Sequence, residues 1–158
     1  MRLPLEVLAE RYRDNLFAAA FSVCKNPYDA EDIVQETFLQ YHTADKQFES
    51  EQHIRAWLLR VAINRAKNVN LSFWRRKSVP LEEYAQTLAF EAQEESELFH
   101  AVMALPEKYR VVIHLYYYED CSTAEIAELL RLKVNTVRVR LHRGRELLKE
   151  NQEVWSND

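Results

Sequence analysis

The sequence predicts an all-α protein built as two small helical domains, and three observations carry that prediction. Apolar residues recur at steps of three and four along most of the 158 residues, which is the spacing of one helix face. One Gly and four Pro in the whole chain leave almost nothing for hairpin turns. Ala, Leu, Glu, Lys and Arg are plentiful, and these residues favour helix. At 47% hydrophobic and 29% charged, the chain has a globular composition and can bury a core.

Taken in order, Leu5, Leu8, Tyr12, Leu16, Ala19, Ala20 and Val23 keep helical spacing. Asn26-Pro27 ends this first helix, because the residue before Pro is pushed out of the α region. A second helix over residues 28–44 turns Ala30, Ile33, Val34, Thr37, Phe38 and Tyr41 inward and leaves Asp29, Asp32, Gln35, Glu36 and Gln40 outside. Taken alone, that acidic face is an ordinary solvated one whose first carboxylates complement the helix dipole. Residues 43–52 read as a polar loop holding one aromatic, Phe48. A long third helix follows, with Ile54, Trp57, Leu58, Val61, Ala62, Ala66 and Val69 as its stripe and Arg55, Arg60, Asn64, Arg65, Lys67 and Asn68 on its other faces. Phe73-Trp74-Arg75-Arg76-Lys77 closes this basic block. Cations that follow phosphates, beside amides and aromatics that engage exposed bases, suit a nucleic-acid strand. A surface helix with snorkelling Arg and Lys is the plainer account of the same residues.

Residues 78–93 hold one Pro, several Glu and no cation, so they read as a linker between domains at 1–77 and 94–158. Beyond it, Leu98, Val102, Met103 and Leu105 form a stripe, and Pro106 opens a helix at the position where its missing N–H costs nothing. Tyr109, Val112, Ile113 and Tyr116 continue that helix, and Tyr116-Tyr117-Tyr118 is expected to split between core and rim. Ser122-Thr123-Ala124-Glu125 is a capping box, opening a short helix with Ile126, Ala127 and Leu130 on one face. Only Arg131-Leu132-Lys133-Val134 separates it from the last helix, whose stripe is Val134, Val137, Leu141, Gly144 and Leu148. Arg138, Arg140, His142, Arg143 and Arg145 take the remaining surface. A capped helix, a tight turn and a basic second helix make a helix-turn-helix, which presents the early part of its second helix to a major groove.

The net charge of −4 argues against a free DNA-binding protein, but charge is sorted along the chain. Residues 25–50 sum to −4, 51–77 to +6, 78–104 to −6 and 131–149 to +6. Two basic blocks set among acidic ones imply two anion-binding surfaces joined by an acidic spacer, with the overall acidity suppressing binding to arbitrary DNA. Cys24 and Cys121 stand without a CxxC pair or a His at ligand spacing, so both are expected as reduced, buried thiols. No apolar run approaches membrane-spanning length, and no segment is expected to be exported or inserted.

These residues resemble the extracytoplasmic-function branch of the primary sigma factor family. The resemblance rests on Tyr28-Asp29-Ala30-Glu31-Asp32-Ile33-Val34-Gln35-Glu36-Thr37-Phe38-Leu39, on Trp57-Leu58 with Val61-Ala62 and Asn64, on Leu105-Pro106-Glu107-Lys108-Tyr109-Arg110, on Glu125-Ile126-Ala127-Glu128-Leu129-Leu130 and on Thr136-Val137 with Arg140-Leu141-His142-Arg143. It implies sigma region two at 1–77 and region four at 94–158, in a cytoplasmic initiation factor with no catalytic activity and no cofactor. It further implies that Asp29, Asp32, Gln35, Glu36 and Phe38 meet the clamp coiled coil of core RNA polymerase, with the flap as a second contact. Phe48, Arg60, Asn64, Arg65, Asn68, Arg75 and Arg76 would then serve the minus-ten element, where flipping a base costs a few kcal/mol that a fitted pocket returns. Thr136, Arg138, Val139, Arg140, His142 and Arg143 would face the minus-thirty-five duplex, and an anti-sigma factor is the remaining implied partner. The family often places Gly in the last turn. Here Arg131-Leu132-Lys133 stands instead, so a residue with a side chain is expected in a left-handed conformation at roughly 1 kcal/mol. Gly144 is expected to pack against the preceding helix.

Two rivals fit the residues less well. A self-sufficient helix-turn-helix repressor leaves the acidic face and the first basic helix without a role. A helical metalloenzyme using Asp29, Asp32 and Glu36 with His100 lacks the two Glu-x-x-His pairs such sites need, since Glu97 to His100 is the one such spacing in the chain.

Overall fold

The structure, a computed structural model, describes the backbone of residues 1–71 and 93–156 and the side chains of residues 1–69 and 97–150. Residues 78–92 of the expected linker and Phe73-Trp74-Arg75-Arg76-Lys77 lie outside the described residues. The chain divides into two compact units, Met1–Ser78 and Val79–Asp158.

In the first unit α1 (Leu5–Cys24), α2 (Pro27–Thr43) and α3 (Glu51–Leu71) pack on one another. All six residues assigned to the inner stripe of α2 are buried. On α3, Ile54, Leu58, Ala62 and Ala66 of the expected stripe are buried while Trp57, Val61 and Val69 are half-buried, and Leu59 and Ile63 are buried as well, because both α1 and α2 lie against the helix. The corner between α1 and α2 is two residues long. Lys25 takes a left-handed conformation at φ 55°, and Asn26 caps α2 by accepting from the N–H groups of Tyr28 and Asp29 at 2.9 and 3.1 Å. Pro27 at the first helical position gives up no bond there. So tight a corner presses the first turn of α2 against the buried end of α1. Asp29, expected on the acidic outer face, is consequently 3% exposed. Ser50 caps α3 by accepting from His53 N–H at 3.1 Å. Next to it, the hydrogen bonds from the Arg11 guanidinium and the Tyr12 hydroxyl hold the Glu51 carboxyl below its ordinary range, tying α1 to the start of α3.

The second unit contains α4 (Gln93–Met103), α5 (Glu107–Tyr117), α6 (Thr123–Leu130) and α7 (Val134–Ser156). Pro106 stands immediately before α5, and the buried Arg110 donates to the Leu105 carbonyl at 2.9 Å. Tyr116, Tyr117 and Tyr118 do not split between core and rim. All three are exposed, because the face of α5 that meets the other helices ends at Leu115. His114 and Glu119 form a buried pair at 3.2 Å beneath the corner leading to α6. The capping box forms in both directions, with Ser122 Oγ accepting from Glu125 N–H and Glu125 Oε1 from Ser122 N–H, each at 3.1 Å. Arg131 adopts the left-handed conformation expected of the turn, φ 56°. Its N–H and that of Leu132 both reach the Ala127 carbonyl, which closes the end of α6. Cys24 and Cys121 are buried thiols, as expected. Among the described residues no helix is long and apolar enough to cross a membrane.

Candidate nucleic-acid and polymerase interfaces

The packing of α7 decides which of its residues reach outward. Val137 and Leu141 are buried, and Gly144 lies so close to α5 that an added Cβ would stand 3.0 Å from Ile113 Cγ1 and 3.2 Å from its Cδ1. The partner of Gly144 is therefore α5, not the immediately preceding α6. With that stripe turned in, Arg138, Val139, His142 and Arg143 are exposed and Thr136 and Arg140 are half-buried. Val139, at 58% exposed, is an apolar group on a basic face. Two of the cationic candidates are engaged within the helix. His142 Nε2 lies 2.8 Å from Glu146 Oε1, and Arg143 donates to Glu146 Oε2 at 3.2 Å. Among the described residues, Arg138 and Arg140 have no such carboxylate partner. Arg145 turns back to donate to the Tyr117 hydroxyl at 2.9 Å, bridging α7 to α5.

On α3, steps of four align Arg60, Asn64 and Asn68 on one side. Asn64 and Asn68 are exposed, Arg60 is half-buried, and Lys67 beside them is exposed. Arg65 departs from this group. Its guanidinium donates to Glu36 Oε2 at 2.8 Å and to Gln40 Oε1 at 2.7 Å, because the residue after Asn64 is turned about 100° around the helix, toward α2. Phe48 departs further. The one aromatic in a polar loop reads from sequence as a platform for a base, yet it is 3% exposed. Its ring stacks on Tyr41 at 5.7 Å and meets Trp57 and His53 edge-on at 5.7 and 5.1 Å. The inward positions Tyr41 and Trp57 are legible as such from periodicity, and together they form the pocket that takes Phe48 in. Arg75 and Arg76 lie outside the described residues.

On the outer face of α2, Asp32, Gln35 and Glu36 are exposed. Phe38, which periodicity turns inward and the resemblance alone set on this face, is 8% exposed and belongs to the core, while its neighbour Leu39 is 61% exposed. Leu39 continues the 32, 35, 36 series at the helical step. That periodicity is the signal by which it could have been chosen instead of Phe38. With Asp29 buried and Glu36 paired to Arg65, Asp32 and Gln35 with Leu39 make up the readily available part of this face.

Two family models match the chain, one described as Sigma-70 region 2 over residues 8–79 and one as Sigma-70, region 4 over residues 96–148. The chain belongs to the sigma-70 family. A relative in Bacillus subtilis, the ECF RNA polymerase sigma factor SigW, is 29% identical over 160 aligned residues, covering 90% of this chain and 86% of its own. The ECF RNA polymerase sigma-E factor of Haemophilus influenzae is 28% identical, covering 90% and 84%. Among solved structures, that of CnrH in complex with the cytosolic domain of CnrY matches with a TM-score of 0.69 at 26% identity, over 95% of this chain and 88% of the other. The sigma factor RpoE of Bartonella quintana, solved with the anti-sigma factor NepR, shares the fold with a TM-score of 0.69 at 20% identity. The all-helical architecture thus stands on the solved structures, and the extracytoplasmic-function assignment on the sequence relatives. A lone helix-turn-helix regulator would account for the match at 96–148 but not for the one at 8–79.

Proposed function

We propose that this sigma factor binds core RNA polymerase through the outer face of α2, captures the minus-ten element with α3 and the loop before it, and reads the minus-thirty-five duplex with the early part of α7. It acts in the cytoplasm, contributes no catalytic group of its own, and is held in reserve by an anti-sigma factor. One observation carries the reading. Ile54, Leu58 and Ala62 of α3 and Val137 and Leu141 of α7 are turned into the packing, and the faces left uncovered on these two helices bear chiefly amides and cations suited to DNA. Asn64 and Asn68 can hydrogen-bond the edge of an unpaired base, which a closed duplex does not offer.

The test is Asn64→Ala in reconstituted holoenzyme. Polymerase affinity is expected to stay at the wild-type level while open-complex formation falls, read as permanganate reactivity of unpaired thymines. Equal reactivity in the two holoenzymes would remove Asn64 from strand capture.

Glu146 supports a second expectation. Its carboxylate occupies both His142 and Arg143 and would compete with phosphate for them. Glu146→Gln is expected to raise affinity for the upstream element up to about fivefold, since an exposed pair is worth ~0.2–1 kcal/mol. The gain should be largest at low salt. A salt titration of binding to upstream-element duplex checks this, and an unchanged affinity across the series would mean that Glu146 does not restrain the basic face.

A further inference from the structure

We infer that Arg2 is a positioning residue for minus-ten recognition: the segment 1–3 straps the loop between α2 and α3 into one conformation, and the exposed Lys46 and Gln47 of that loop then discriminate the base. This rests on the reading of the first unit as the minus-ten reader. The guanidinium of Arg2 donates through Nη2 to the Tyr41 carbonyl and through Nη1 to the Lys46 carbonyl, both at 2.6 Å. Tyr41 lies in the last turn of α2, where carbonyls have no partner within the helix, and Lys46 lies in the middle of the loop. One planar fork therefore spans from helix end to loop, while its Cζ sits 4.3 Å from the centre of the Tyr41 ring. Beside it, Leu3 N–H donates to the Tyr41 hydroxyl at 3.0 Å, and that hydroxyl donates to the Leu3 carbonyl at 2.8 Å. Phe48 N–H donates to the Met1 carbonyl at 3.1 Å.

The strap occupies the carbonyls of Tyr41 and Lys46 and the N–H of Phe48, and the Phe48 ring anchors the far end of the loop in the core. Asp45, Lys46, Gln47 and Glu49 are left exposed. A base at this loop therefore meets an ammonium and an amide rather than an aromatic face. Discrimination by such groups requires that they already be held in place, because a loop ordered only on binding loses affinity to the entropy of ordering. Arg2 supplies that order through two carbonyls at once, which the point charge of a lysine cannot do.

The experiment uses full-length protein in holoenzyme, on a promoter recovered by sequencing the transcripts that the holoenzyme makes. The readout is the ratio of open-complex formation between the native minus-ten sequence and its single-base substitutions. Arg2→Ala is expected to lower this ratio by roughly tenfold, the size of one ordinary base contact. Arg2→Lys should fall nearly as far although it keeps the charge. Tyr41→Phe, which retains the ring and loses the Leu3 pair, should shift the ratio in the same direction by less. Dependence on the upstream element and affinity for polymerase should not change. If Lys46→Ala and Gln47→Ala lower the ratio while the Arg2 variants do not, the strap is overturned and the minus-ten reading stands. A loss of activity equal on all promoters, with the ratio intact, would make Arg2 a stability residue only and also overturns the inference. If neither the loop variants nor Asn64→Ala moves the ratio, the minus-ten reading fails and the strap falls with it.

Discussion

Phe48→Ala is expected to destabilise the first unit by about 3–5 kcal/mol, the range for truncating a buried Phe. The ring is 3% exposed and touches Tyr41, Trp57 and His53, so the substitution removes transfer free energy and leaves a cavity between α2 and α3. Removing each aromatic pairing adds roughly 0.5–1.5 kcal/mol beyond area alone. The hydrogen bond from Phe48 N–H to Met1 would also lose the anchored backbone that fixes its geometry. Against a total stability of about 5–15 kcal/mol for a small domain, the loss is a large share. Phe48→Leu fills most of the volume and should cost only about 1–2 kcal/mol. Hydrogen exchange of α1, α2 and α3 amides across a urea series reads the effect in this unit alone. Unchanged exchange in Phe48→Ala, with promoter melting selectively impaired, would restore the ring to the role of a base platform.

Arg138→Ala with Arg140→Ala should have the largest effect on DNA binding. Neither guanidinium is held by a carboxylate among the described residues, whereas His142 and Arg143 share Glu146. A bidentate contact to guanine is worth ~1–3 kcal/mol of discrimination. If the two positions act independently, the pair contributes about 2–6 kcal/mol, and upstream-element affinity falls by roughly thirtyfold or more. Whether each Arg reads a base or a phosphate is separable. Removing an Arg that reads a base relaxes preference at one position, while removing one that holds a phosphate weakens binding to all sequences alike and reduces the salt slope by about one. Arg143→Ala should cost less, by up to about 1 kcal/mol, because binding DNA through it requires leaving Glu146 first. Holoenzyme binding to native and scrambled upstream elements over a salt series measures all three variants. An unchanged footprint in the double variant would place upstream recognition elsewhere on the second unit.

Much of the fold is legible in the sequence because helix signals are local. The stripe of α2, the capping box of Ser122 and Glu125 and the inward Val137 and Leu141 each depend on residues within a turn or two of one another. The family resemblance is legible for a related reason: two signatures at fixed spacing survive even where identity is below a third. The candidate sites are less legible. Periodicity puts Asp29 outside, but a two-residue corner folds it against α1. Phe38 and Leu39 are adjacent; periodicity turns Phe38 inward, and only the family resemblance set it on the docking face, where Leu39 stands instead. Arg65 resembles its neighbours in charge and is set apart by the carboxylate of Glu36, 29 residues earlier in the chain.

By itself, the sequence determined the all-helical class, the division of charge into blocks and the faces of α2, α3 and α7, since these follow from backbone periodicity and the chemistry of single residues. Only the tertiary structure decided which polar groups remain free to act. Phe48 lies buried because Tyr41 and Trp57 arrive from two different helices to enclose it, and Arg2 holds the loop because the chain brings its first residues beside the end of α2. Burial and pairing are properties of what surrounds a side chain, and those surroundings come from residues tens of positions away, beyond the reach of any local pattern.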